Sequence, residues 1–165
     1  MPKIQPMIEE MELEGATTRR LLERLPQEHL GWKPHAKARP LGELAMHIAS
    51  VQPALAGMLQ SASADAASTP RDSQPQTVDE IVAAFDQGLA TAKTLLGKLS
   101  DDDLRSTWSL LREGKPVFTM PKVAVVRTVI LNHVYHHRGQ LSTYLRMLDV
   151  ALPSIYGPTA DERGF

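Results

Sequence analysis

The spacing of apolar and polar residues predicts a chain built mainly from helices. Apolar residues recur three and four positions apart in four separate segments, which is the periodicity of a helix with one buried face. The segments run from Gln5 to Leu25, from about Leu41 to Ser61, from Thr77 to Leu96 or Leu99, and from Pro121 to about Val150. We therefore expect an all-α fold in which residues 1–165 form one domain.

Residues that start or stop helices support these boundaries. Pro26 ends the first helix, and Pro53 should kink or split the second, because proline has no backbone N–H to donate. The stretch 77–80 has the pattern of a capping box, and the stretch 100–103 resembles the cap of one further short turn. Pro121 suits the first turn of the last helix.

The segments between these helices lack helical spacing. Residues 62–76 are small, polar and proline-containing, which is typical of an exposed connection. From Ser106 to Met120 the pattern is weak and includes a turn at Gly114 to Pro116, which favours an extended excursion or a small hairpin. The tail from Leu152 onward is predicted to be irregular.

Composition excludes several classes of protein. The chain has no cysteine, so a disulfide framework, a thiolate zinc site and a cysteine nucleophile are all excluded. Its 18 basic and 19 acidic residues include no basic block, which argues against nucleic-acid binding. No apolar run approaches the length of a membrane span, and the amino terminus lacks the apolar core of a signal peptide. We expect a cytoplasmic protein that binds neither nucleic acid nor membranes.

Three histidines are candidates for a shared site. On a wheel of about 100° per residue with His133 at zero, the apolar residues of the last helix lie between about 20° and 80°. His137 lies at about 40°, inside this stripe, whereas His136 lies at about −60° and faces away. His47 lies at the edge of the corresponding stripe of the second helix.

Histidines four residues apart on a helix can bind one cation, and a third imidazole would complete a site with open positions for water or substrate. The alternative is that each is a hydrogen-bonded core histidine. Two neutral imidazoles in one apolar wall need partners for four ring nitrogens, which favours a metal shared by His47, His133 and His137. This ligand set suits one divalent ion, zinc or nickel first, with iron, cobalt and manganese as alternatives. Val134 follows His133, so the HExxH motif of metalloproteases is absent.

Other side chains near these histidines have less specific signals. Gln140, at about −20°, could hydrogen-bond a metal-bound water, although a packing role is an equal alternative. Trp32 and Tyr144 could wall a pocket between the loop after the first helix and the end of the last one. Arg138 lies off the stripe at about 140°, and we expect it to make a structural ion pair or cap a loop. No residue is assigned a catalytic role.

Three stretches, residues 41–49, 132–146 and 152–158, resemble the DinB/YfiT-like metal-binding family. The resemblance implies a four-helix bundle of up-down-down-up topology with a long crossing connection, and a divalent metal held by His47, His133 and His137 at one end of the bundle. It also implies a homodimer and, from some relatives, thiol S-transferase or isomerase activity with bacterial low-molecular-weight thiols. Asp149 departs from the pattern, since many relatives carry glycine there.

Three functions follow as hypotheses. The first is a metal-dependent transferase of the thiol S-transferase type that acts on a small molecule. The second is a metal-dependent hydrolase that uses the same site with water as the nucleophile. The third is a non-catalytic, stress-associated module that binds metal. Coordination separates the third from the others, because a closed four-ligand site favours structure and an open site favours chemistry.

Overall fold

Four long helices form the body of the protein in a computed structural model that describes residues 3–68 and 73–163. The first three are α1 (Gln5–Leu22), α2 (Leu41–Met58) and α3 (Val78–Leu96), and a short α4 (Asp101–Arg105) follows them. The last long helix consists of α5 (Lys122–Val125), a π-helical segment (Val126–Leu131) and α6 (Asn132–Met147). Single 3₁₀ turns lie at Gln27–His29 and Ala66–Ser68.

Contacts between side chains define the helix directions. Pairs that join the start of one helix to the end of another are Glu12–Lys93 with Arg19–Asp86 for α1 and α3, and His47–His133 with Leu59–Lys122 for α2 and the last helix. Pairs that join start to start and end to end are Gly42–Pro75 with Gln60–Leu95 for α2 and α3. The first and last helices therefore run one way and the middle two the other way, in the expected up-down-down-up order.

The capping residues lie where the sequence places them. Thr77 and Glu80 form a reciprocal capping box at the start of α3, with the Thr77 side chain accepting from the Glu80 N–H at 3.1 Å. Ser100 and Asp103 form a second box at the start of α4. Each box satisfies backbone N–H groups that have no partner inside the helix, so both of these predicted helix starts are confirmed.

A small three-stranded sheet makes the all-α expectation too narrow. Strands β2 (Thr107–Arg112) and β3 (Lys115–Pro121) form the hairpin expected in this region, and β1 (Ser63–Asp65) pairs parallel with β2. Its turn lies at Glu113 and Gly114, with φ of 52° and 74°, rather than at Gly114 to Pro116. Two residues of positive φ match the twist of a hairpin. A strand as short as β1 lacks the alternation that would mark it in sequence.

Pro53 does not split α2, contrary to one form of the expectation. The helix runs unbroken from Leu41 to Met58. Proline cannot donate to the Ala49 carbonyl four residues earlier, and this carbonyl faces Gly88 of α3, where an added Cβ would lie 2.5 Å from the oxygen. The glycine therefore allows α2 and α3 to approach closely at this level.

The π-helical segment changes which face of α6 is buried. A π-helix has more residues per turn than an α-helix, so it shifts the angular position of every residue after it. The buried residues of α6 are Val134, Arg138, Leu141 and Leu145, at about 80° to 140° on the regular wheel. Consequently His133 and His137 lie at the edge of the buried stripe, half-buried, rather than at its centre. Within the described residues, no helix has the length and apolar character needed to cross a bilayer.

Candidate metal centre

The three predicted histidines come together between α2 and α6. Nε2 of His133 lies 3.0 Å from Nε2 of His47 and 2.9 Å from Nε2 of His137. One possible ligand atom from each ring lies within 4.8 Å of the other two, and all three residues are half-buried. The antiparallel packing of α2 against α6 produces this cluster, because it sets His47 opposite two successive turns of α6.

The ring nitrogens outnumber the hydrogen bonds that they can share. An imidazole nitrogen carries either one hydrogen or one lone pair, so Nε2 of His133 cannot form a full hydrogen bond with both of its neighbours. A cation shared by the three lone pairs would satisfy all of them at once. The donor set therefore fits a divalent metal ion, and it is the only such cluster that the described part of the chain brings together.

The electrostatics keep these imidazoles neutral at pH 7. Burial lowers the pKa of His133 to about 4, and the imidazoles of His137 and His47 lower it further, with a smaller contribution from the positive charge of Arg39. Burial also lowers the pKa of His137, although its hydrogen bond to Gln140 acts in the opposite direction. Neutral imidazole is the form that binds metal, so the cluster needs little proton release to do so.

Gln140 contacts the site in a different way from the one expected. Its Oε1 lies 2.7 Å from Nδ1 of His137, one turn away on the same helix. With Nδ1–H donating to this oxygen, Nε2 of His137 keeps its lone pair and faces the other two histidines. Gln140 thus orients a candidate ligand rather than standing where it would hydrogen-bond a metal-bound water.

Trp32 and Tyr144 lie against each other beyond the histidines. Their ring centroids are 5.8 Å apart and the planes are nearly perpendicular, at 84°. The backbone carbonyl of Trp32 accepts from the N–H of Leu41 at 2.8 Å, which holds the preceding loop against the start of α2. The two proposed pocket walls are therefore adjacent to each other, and Tyr144 lies two turns along α6 from His137.

The remaining histidines do not join the cluster. His136 is exposed, and its ring centroid lies 4.9 Å from that of its neighbour His137, but it is not part of the group of possible ligands. His29 and His35 are exposed residues of the loop between α1 and α2. This placement of His136 agrees with the helical wheel, which turned it away from the other two.

Arg138 is a structural residue whose burial the wheel did not indicate. It is 1% exposed, although the expectation placed it off the buried stripe. It forms the expected ion pair, with Nη2 lying 2.6 Å from Oε2 of Glu14, and it donates to Thr18 Oγ1 at 3.2 Å and to the hydroxyl of Tyr156. The guanidinium also packs over the Tyr135 ring. These contacts tie α6 to α1 and to the tail directly beside His137.

The comparisons with known proteins agree with this architecture. The sequence model of the DinB family matches residues 1–163. Among solved structures, a DinB-like protein of Bacillus cereus ATCC 10987 superposes with a TM-score of 0.74 at 21% identity, covering 93% of this chain and 97% of that one. The DinB-like protein YjoA of Bacillus subtilis gives a TM-score of 0.71 at 17% identity, covering 91% and 96%.

A third structure, assigned as a candidate DinB member from Exiguobacterium sibiricum 255-15, gives a TM-score of 0.64 at 22% identity and covers 98% of both chains. At these identities the structures show a common fold. No curated protein matches the chain. Because the family match spans nearly the whole sequence, the chain belongs to the DinB family.

Proposed function

We propose that this DinB protein binds one divalent metal ion through Nε2 of His47, His133 and His137, and that it is a transferase of the thiol S-transferase type acting on a small molecule. Zinc and nickel are the first choices of metal, with iron, cobalt and manganese as alternatives. The convergence of the three Nε2 atoms, with His133 2.9 Å and 3.0 Å from its neighbours, supports this proposal most directly.

The number and exposure of the ligands favour chemistry over a purely structural role. Three protein ligands leave at least one coordination position open, whereas structural sites are closed by four. All three histidines are half-buried, so the cluster is not sealed inside the core. A divalent ion bound there would lower the pKa of a thiol or water ligand and so supply a nucleophile at neutral pH.

The surrounding residues suit a site that positions a small molecule. The ligand cluster contains no carboxylate, so no side chain within it is a separate general base. Gln140 holds the orientation of His137, and Trp32 and Tyr144 provide an aromatic wall beyond the cluster. We therefore assign binding and orientation to the protein, and no catalytic side chain.

Metal content tests the site. The protein should be expressed without a histidine tag, purified without a nickel column and measured by mass spectrometry for metal per chain. We expect about one equivalent in the wild type and in His136→Ala, and almost none in a His133→Ala, His137→Ala double variant. His136 is the matched control because it lies on the same helix and outside the cluster. Equal metal content in all three proteins would rule out the proposed ligands.

Activity tests the reaction. Formation of a fluorescent conjugate from cysteine and monochlorobimane, measured above the uncatalysed rate, should require metal and should be lost in His137→Ala. Hydrolysis of ester and amide substrates under the same conditions would favour the hydrolase. A metal-loaded protein that accelerates neither reaction would favour the binding module. The homodimer implied by family resemblance is tested separately by sedimentation velocity.

A further inference from the structure

An ion pair continues the face of α2 that carries His47. Glu43 lies four residues before His47, and Arg39 lies four residues before Glu43, just ahead of the helix. Residues at this spacing share one side of a helix. Nη1 of Arg39 is 3.9 Å from Oε1 of Glu43, and the two side chains are 43% and 34% exposed. A row of cation, carboxylate and imidazole therefore leads from the start of α2 to the histidine cluster.

The opposite side of this row consists of α6 and the loop after α1. Because α6 runs antiparallel to α2, its residues after His137 pass along the part of α2 that precedes His47. These residues include Gln140 and Tyr144, and the ring of Trp32 packs edge-on against Tyr144. The space beyond the cluster thus has an aromatic pair on one side and the Arg39–Glu43 pair on the other.

The charge of Arg39 acts on the cluster itself. Its positive charge contributes to lowering the pKa of both His133 and His137, after the larger effects of burial and of the neighbouring imidazoles. Glu43 does not appear among the groups that shift either pKa. The cation is therefore the member of the pair that is electrostatically felt at the histidines.

We propose that Arg39 is a specificity-determining residue that binds the carboxylate of a small substrate whose apolar body lies against Trp32 and Tyr144. The proposal rests on the proposed function, since the reactive end of such a molecule would lie at the histidine cluster. A guanidinium offers five N–H donors in a planar fork that matches a carboxylate, so it can bind one while still contacting Glu43. The implied substrate class is a small aromatic or unsaturated carboxylic acid.

Benzoate and benzamide test this proposal, because they share shape and aromatic body but differ in charge. Binding of each to the full-length zinc-loaded protein should be measured by saturation-transfer NMR and by calorimetry. We expect the wild type to bind benzoate at least tenfold more tightly than benzamide. Arg39→Ala should abolish this preference and Arg39→Lys should reduce it, with metal content and melting temperature unchanged. Arg112→Ala, an exposed arginine of β2, should behave as the wild type.

Two results would overturn the proposal. One is a wild type that does not prefer benzoate, and the other is an Arg39→Ala variant that retains the full preference, which would place the carboxylate elsewhere. The same titrations on the metal-free protein separate this proposal from the proposed function. A preference that depends on Arg39 without metal would support the carboxylate subsite even if the protein failed to take up metal.

Discussion

Gln140 accepts a hydrogen bond from Nδ1 of His137 at 2.7 Å, and this contact directs the other ring nitrogen toward His133. Partners of this kind fix the tautomer of a ligand and typically change metal affinity by about 10- to 100-fold when removed. We expect Gln140→Leu to weaken zinc binding by this order, and Gln140→Glu, which still accepts from Nδ1–H, to preserve it. Competition titration with a zinc-binding dye measures both. Unchanged affinity in Gln140→Leu would mean that the contact has no orienting role.

Gly88 and Gly57 provide a matched pair of glycines for testing the α2–α3 packing. A Cβ at Gly88 would lie 2.5 Å from the backbone oxygen of Ala49, whereas a Cβ at Gly57 would meet nothing within 4 Å. Overpacking of this kind costs about 1–3 kcal/mol, so Gly88→Ala should lower the free energy of unfolding by that amount. Gly57→Ala should raise it by up to about 1 kcal/mol through helix propensity. Urea denaturation measures both, and a Gly88→Ala variant as stable as the wild type would contradict the close approach.

The end of α6 contains a residue in a conformation that favours glycine. Asp149 has φ of 57°, and the N–H groups of Asp149 and Val150 donate to the carbonyls of Arg146 and Leu145, which is a Schellman motif. Glycine adopts this φ without steric cost. We expect Asp149→Gly to stabilise the protein by about 0.5–1 kcal/mol.

The control for this change is Asp149→Ala, which removes the same carboxylate but keeps a Cβ. It should be no more stable than the wild type. Thermal unfolding followed by circular dichroism compares the three proteins. Equal gains in both variants would assign the effect to charge rather than to φ.

The pKa of His133 predicts how the stability of the metal-free protein depends on pH. The folded-state value of about 4 lies below the ordinary value of 6.5. Between these values the unfolded chain binds a proton that the folded protein does not, so stability falls as the pH falls from 6.5 toward 4. Urea denaturation across this range should show a shallower loss of stability in His133→Gln than in the wild type. Parallel curves would contradict the assignment.

Much of the helical framework could be predicted because its signals are local. Capping residues at Thr77 and Ser100 define two helix starts directly, and the spacing of His133 and His137 makes them neighbours on any helix. The placement of His47 beside them depends on the antiparallel packing of α2 and α6. Sequence alone suggests this packing only through the resemblance to the DinB family.

The parts that could not be predicted depend on distant or irregular structure. The π-helical segment Val126–Leu131 leaves no simple mark in the hydrophobic pattern, yet it turns Arg138 into the core and moves the histidines to its edge. Arg138 is tolerated there because Glu14, distant in sequence, neutralises its charge. Strand β1 likewise pairs with residues 109–111, far along the chain.

The effect of a chelator on thermal unfolding tests the metal site most directly. Metal that binds only the folded state stabilises it by about 2.7 kcal/mol when its free concentration is a hundredfold above the dissociation constant. A chelator should therefore lower the melting temperature of the wild type and of His136→Ala by several degrees. It should leave a His133→Ala, His137→Ala double variant nearly unchanged. An equal shift in the double variant, or no shift in the wild type after zinc loading, would contradict a metal centre built from His47, His133 and His137.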